Sequence, residues 1–222
     1  MSEEQAVVNE EWQPSGNPWL LIIPVMAATF MYALDETVAN VALPHIAGSY
    51  SVSHQESIWV LTSYLMASSI VIPMIDFFCK VLGRKNFFML GVFIFTVASF
   101  LCGIANSIGM IVVARALQGF GGGCLMPMAQ AVCMETFKGE ARNKAMAVFG
   151  LVVVVAPILG PVLGGWITEN WSWPYIFFIN IPVGFLCIVL AKKYMEDPPY
   201  ARRQKNVQLD KFSFLWLCVW LI

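Results

Sequence analysis

The stretch PWLLIIPVMAATFMYALDETVANVAL, residues 18–43, decides the fold. A helix crossing the ~30 Å hydrocarbon core of a bilayer takes roughly 20 apolar residues, and this run supplies them. It also carries two adjacent carboxylates, Asp35 and Glu36, inside the apolar run. Five more runs of the same kind follow, over about 56–78, 87–105, 109–136, 145–168 and 174–194. The runs are continuously apolar, not alternating, which excludes transmembrane β-strands. The flank of the first run is acidic (Glu3, Glu4, Glu10, Glu11) and the run is long, which excludes a cleaved signal peptide.

Composition agrees. Hydrophobic types make up 59% of the 222 residues and charged types 12%. A soluble domain carries roughly 25% charged residues. The mean hydropathy is +0.70. A water-soluble globule and a disordered chain are both excluded. The formal net charge is −1, so no basic surface points to nucleic acid. The cysteines and histidines show no CxxC, HExxH or paired cluster, so a zinc or disulfide scaffold is not expected. The cysteines read as small apolar packers, and His45 and His54 as surface residues. No nucleophile has a base beside it in the sequence, so no enzyme is expected. The reading is an all-α polytopic membrane protein.

Basic residues mark cytoplasmic loops. All but one of the 13 lysines and arginines fall after the second, fourth and sixth runs. The loops after the odd runs have none. This places the N-terminus in the cytoplasm and makes the bilayer itself the first partner. Residues 1–16 read as a cytoplasmic tail, 17–194 as a six-span bundle and 195–211 as a charged cytoplasmic linker with Pro198 and Pro199. A seventh run, 212–222, covers about 16 Å at about 1.5 Å per residue. That is half a bilayer, so it is expected to be a truncated span.

The remaining basic residue, Arg115, lies inside the fourth run. An ionisable residue at mid-helix costs roughly 2.5–3.5 kcal/mol on insertion scales and is functional by default. Counted from the same side of the membrane, Asp35 lies ~12 Å deep and Arg115 ~9 Å deep. Neighbouring spans would bring them together. A guanidinium alongside favours the ionised carboxylate, and its withdrawal favours protonation. That is the outline of a proton-coupled switch; the alternative reading of Arg115 is a purely structural clamp. Glu36 sits ~100° around the helix from Asp35 and cannot face one cavity equally.

The fifth run reads GLVVVVAPILGPVLGGW. Ala156, Gly160 and Gly164 form a small-residue face for close packing. Pro157 and Pro161 lie beside it, and each removes a backbone donor and bends the helix. With Gly165, this suggests a rocking interface. The fourth run carries RALQGFGGG, residues 115–123, without the GxGxxG pattern of a phosphate loop. Trp59, Trp171 and Trp173 lie at span ends as interfacial anchors.

Four segments carry a family resemblance. LDETVANVALP (34–44), RALQGFGGG (115–123), GPVLGG (160–165) and WSWPYIFFINIPVG (171–184) together resemble the first half of a major facilitator superfamily transporter. The nearest type is the EmrB/QacA drug:proton antiporter, usually of 14 spans. The resemblance implies a six-helix N-terminal bundle. It makes Asp35 the proton-coupling carboxylate and Arg115 its partner, with Glu36 as a second acidic candidate. Pro157, Gly160, Pro161, Gly164 and Gly165 would support alternating access. Asn40 and Gln118 would line a substrate cavity. The driving force would be the proton gradient, with no cofactor. Substrate and protons would be the small-molecule partners. In a host with two membranes, a periplasmic adaptor and an outer-membrane duct would join them.

The loop after the second run departs from the family pattern. Gly83, Arg84 and Lys85 are present. Asp76 stands where a glycine is usual, Lys80 where an acid is usual and Val81 where an arginine is usual. Asp76 is therefore expected to replace the missing acid as the partner of Arg84. Proton-coupled efflux of amphipathic drugs across the inner membrane is the leading reading. The alternatives are the same fold exporting a siderophore or metabolite, a truncated non-transporting membrane fragment, and a channel. No span shows the charge rings of a channel.

Overall fold

The computed structural model describes residues 16–198. Residues 1–15 and 199–222 lie outside the described residues, and with them the tail, most of the linker and the half-length seventh run. Among the described residues all regular structure is helical, and six helices are long and apolar enough to cross a membrane. Span one is α1, Pro18–Tyr50. Span two, His54–Leu82, joins α2 (His54–Val71), a 3-10 turn (Ile72–Met74) and α3 (Ile75–Leu82). Span three is α4, Arg84–Gly103. Span four, Ile108–Thr136, joins α5 (Ile108–Gly122) and α6 (Leu125–Thr136). Span five is α7, Gly139–Asn170. Span six, Tyr175–Tyr194, joins α8 (Tyr175–Phe178) and α9 (Asn180–Tyr194).

The helices begin where the chain offers a cap. Asn17 accepts from the Trp19 amide at 3.0 Å, with Pro18 in the first turn. Ser53 and Glu56 form a capping box. Ser107 accepts from the Met110 amide at 3.2 Å. Spans two and three are joined by Gly83 alone, whose φ of 85° suits a residue without Cβ.

All six expected runs are found, with longer ends in places. Span one continues through Pro44 to Tyr50. Hydropathy does not register this extra length, because tertiary hydrogen bonds hold it: Tyr50 Oη donates to the Ala105 carbonyl at 2.6 Å, and the Trp173 indole donates to Ser49 Oγ at 3.0 Å. Span five starts at Gly139 on a charged turn, where Glu140 and Lys144 pair at 2.9 Å. It runs as one helix through Pro157 and Pro161, both exposed.

Span one packs against spans two, five and six and against α6 of span four. Helix α5 packs between spans two and three, and span six closes against span three. Small residues set the spacing. A Cβ at Gly119 would collide with the Tyr64 carbonyl, and one at Gly123 would lie 2.6 Å from that of Ser68. Gly160 faces the Thr37 hydroxyl of span one, and Gly164 would bring a Cβ to 3.3 Å from Val38. The expected small-residue face of span five is thus its contact with span one. Gly165 is not part of it: nothing lies within 4 Å of a Cβ there.

The apolar core falls into two clusters stacked along the bundle. One holds Leu21, Val25, Met31, Phe88, Phe95 and Leu125; the other holds Leu34, Val38, Ile46, Ile111, Ile176 and Phe177. On spans three, four and six the residues between the two clusters include polar ones, and on span one Asp35 directly follows Leu34, the first residue of the second cluster.

Candidate functional site

Those polar residues form one buried network. Asp35 comes from span one, Ser99 from span three, Arg115 and Gln118 from span four and Asn180 from span six. All five are buried, with Arg115, Gln118 and Ser99 fully so. Arg115 Nη1 donates to Asp35 Oδ2 and, at 2.8 Å, to Gln118 Oε1. Gln118 Nε2 donates to Asp35 Oδ1 at 2.9 Å and to Ser99 Oγ at 3.2 Å. Asn180 Nδ2 donates to Asp35 Oδ1 at 2.7 Å and to Ser99 Oγ at 2.9 Å. Ser99 Oγ donates to the Phe177 carbonyl at 2.9 Å.

Span two closes the site. Arg115 Nε donates to the Val60 carbonyl at 3.2 Å, and the guanidinium carbon lies 4.1 Å from the centre of the Tyr64 ring. Val60 and Tyr64 are one helical turn apart, so one face of span two holds both contacts. Tyr32 of span one stacks on Tyr64 at 5.6 Å.

The amide orientations follow from the charges. An ionised carboxylate only accepts, and a guanidinium only donates. Gln118 touches both, so its NH₂ must face Asp35 and its oxygen must face Arg115. Asp35 thus receives donors from Arg115, Gln118 and Asn180. A buried ion pair survives in an apolar surround only when further hydrogen bonds satisfy both charges, and here the neighbouring amides do so for the carboxylate.

Depth reasoning from sequence brings Asp35 and Arg115 together, and they are in contact. Gln118, expected to line a substrate cavity, is fully buried within the network, where its amide bridges the two charges. Asn40 stands on an exposed face of span one, away from these contacts, and Glu36 is half-buried beside Asp35. Asn180, Ser99 and Tyr64 are absent from the sequence-based set.

The expected Asp76–Arg84 pair is not formed. Asp76 is exposed and pairs with Lys80 one turn along α3 at 2.6 Å. Arg84 pairs with Glu135, at the end of α6, at 2.7 Å. Asp76 and Lys80 share a helix face at i, i+4, so the nearest cation takes the acid. Lys85 stands beside this pair. Its backbone amide, at the start of span three, donates to Asp197 Oδ1 at 2.7 Å, and its side chain donates to the Lys192 carbonyl at 2.8 Å. No cluster of potential metal ligands occurs among the described residues.

A bundle of six membrane-length helices folded around a buried carboxylate–guanidinium pair defines a multi-pass membrane protein of transporter type. The chain belongs to the Major Facilitator Superfamily, whose family model matches residues 25–220. It is 40% identical to the multidrug export protein EmrB of Haemophilus influenzae over 176 residues, 79% of this chain and 34% of that protein. It is 43% identical to the fatty acid resistance protein FarB of Neisseria gonorrhoeae over 169 residues, 76% of this chain and 33% of that protein. It is 31% identical to the riboflavin transporter RibZ of Clostridioides difficile over 207 residues, 92% of this chain and 45% of that protein. The chain therefore spans between a third and a half of the length of these relatives. Its fold matches the proton:xylose symporter XylE with a TM-score of 0.73 at 12% identity, covering 83% of this chain and 46% of that one.

Proposed function

We propose that the chain forms the N-terminal bundle of a proton-driven exporter of amphipathic drugs or other toxic small molecules. It would sit in the cytoplasmic membrane with its N-terminus inside. The observation that carries this reading is Asp35, buried in contact with Arg115 and bridged by Gln118. A carboxylate in the membrane interior is costly, and keeping it there with a partner that can release it is the mark of a proton relay. Asp35 would take up a proton as the pair with Arg115 loosens and give it back as the pair re-forms. The proton gradient supplies the work, so no cofactor enters the cycle. Glu36, half-buried on the next position, would be an auxiliary acid, and Asn40 would face the substrate path. The contact of span five with span one, at Gly160 and Gly164, would be the sliding surface. A periplasmic adaptor and an outer-membrane duct remain the partners proposed for a two-membrane host. The name of the riboflavin-transporting relative favours a second reading, export of a metabolite on the same machinery.

The test uses the protein expressed from its complete reading frame and reconstituted in proteoliposomes. Asp35→Asn should abolish substrate movement driven by an imposed pH gradient and leave substrate counterflow, which needs no net proton movement. Substrate movement driven by the pH gradient at the wild-type rate in Asp35→Asn overturns the proton-coupling role.

A further inference from the structure

We infer that Asn180 is the positioning residue that reads the protonation state of Asp35, and that Ser99 passes the reading on to the Phe177 carbonyl. This rests on the proton-coupling reading above. It goes beyond it by naming which group must move when the proton arrives.

The two amides that touch Asp35 differ in one respect. Gln118 is pinned at both ends: its NH₂ serves Asp35, and its oxygen receives Arg115 Nη1 at 2.8 Å. Turning it over would set its NH₂ against a guanidinium, donor against donor. The contacts of Asn180 among the described residues are Asp35 and Ser99, and neither is a cation. Asn180 is the amide that is free to turn.

Protonation on Oδ1, the oxygen that Gln118 and Asn180 share, calls for a turn. Asp35 takes one proton from hydronium, which leaves as water, and becomes a carboxylic acid with one O–H to donate. A proton on Oδ1 would face the NH₂ of Asn180 and the NH₂ of Gln118. A rotation of the Asn180 carboxamide by half a turn presents its oxygen to that O–H. The same rotation sets the Asn180 oxygen against Ser99 Oγ. Ser99 has a single proton, now donated to the Phe177 carbonyl at 2.9 Å. It must swing to Asn180 and release Phe177. No covalent bond changes other than the new O–H on Asp35.

The released carbonyl lies where span six is broken. Helix α8 ends at Phe178 and α9 begins at Asn180. Pro182 has no N–H to reach back to Phe178. A hydrogen bond lost at Phe177 thus falls beside a turn that already lacks one backbone donor. The ionisable groups around Asp35 are Arg115 of span four, Cys102 of span three, Tyr64 of span two, and Tyr32 and Glu36 on its own helix. Cys102 Sγ reaches Gln118 Oε1 at 3.7 Å, a further hold on that amide. None of these groups lies on span six, which meets the site through the Asn180 and Ser99 hydrogen bonds and through the Phe177 ring, 5.7 Å from the Arg115 guanidinium.

The test is infrared difference spectroscopy of the protein from its complete reading frame, in lipid nanodiscs, between alkaline and acid pH. Samples carry isotope-labelled asparagine side chains or isotope-labelled phenylalanine carbonyls. The Asp35 carboxylic band should rise on acidification together with a shifted asparagine carboxamide band and a shifted phenylalanine carbonyl band. Asn180→Leu should keep the Asp35 band and lose the asparagine shift. Ser99→Ala, a small change that leaves the Asn180–Asp35 contact, should keep the asparagine shift and lose the phenylalanine shift. An Asp35 band that rises with no asparagine shift in the wild type overturns the inference while leaving proton coupling intact. Persistence of the phenylalanine shift in Ser99→Ala also overturns it. An Asp35 band that never rises overturns the proton-coupling reading and the inference together.

Discussion

Spans four and five are built for opposite surroundings. Span five is the most apolar of the six and the least buried; span four is the least apolar and, with span one, the most buried. In a soluble domain the order would be reversed. In a bilayer the tails are as apolar as leucine, so apolar side chains gain little by turning inward. The outward face of span five accordingly carries Leu151, Val154, Ile158, Val162 and Trp166 at helical spacing, all exposed. The interior goes to small residues that let backbones close up and to polar groups that need partners. Span four has both: Gly119 against the Tyr64 carbonyl, and Arg115 and Gln118 around Asp35.

The strongest way to break this comparison is to remove the buried cation. Arg115→Leu leaves the Asp35 carboxylate uncompensated and should cost about 3–5 kcal/mol, read as a collapse of the monodisperse peak in detergent. Adding Asp35→Asn should recover part of the loss. A fully stable single variant would mean that water reaches the pair. A smaller effect sharpens the glycine contrast. Gly119→Ala sets a Cβ against backbone that cannot step aside, at about 1–3 kcal/mol. Gly165→Ala on span five, in open space, should instead be neutral or stabilising by about 0.5–1 kcal/mol. Thermal midpoints of the two variants side by side decide it, and equal losses would refute the packing scheme. The smallest effect is expected on the outward face. Ile158→Ala should change stability by less than about 0.5 kcal/mol in the same melt, and a larger loss would show that protein, not lipid, covers that face.

Much of this was legible in the sequence. The six spans follow from length and apolarity. The Asp35–Arg115 contact follows from two charges at matching depth. The other half of the site escaped because the depth count was applied only to charges. Neutral amides and hydroxyls cost little on insertion and do not stand out in an apolar run. Yet Asn180 lies six residues from the start of the sixth run at Pro174, and Ser99 lies six from the end of the third at Ala105. That is the depth at which Arg115 follows Gly109. The same count over all polar residues finds them. The Arg84–Glu135 pair was out of reach for another reason. Its partners lie on different spans, whereas Asp76 and Lys80 satisfy each other along one helix, and only the packing of span three on α6 decides which acid Arg84 meets.

Span six ends at Tyr194, but the chain does not leave the bundle there. Met195 and Pro198 are buried, and Asp197 accepts from the Lys85 amide in the first turn of span three. The polypeptide is moored to a helix that is not its own before it goes on. A leash is measured from its mooring post. Asp197 thus ties the stretch after span six to the turn where Gly83 joins spans two and three, and a pull at either place is felt at the other.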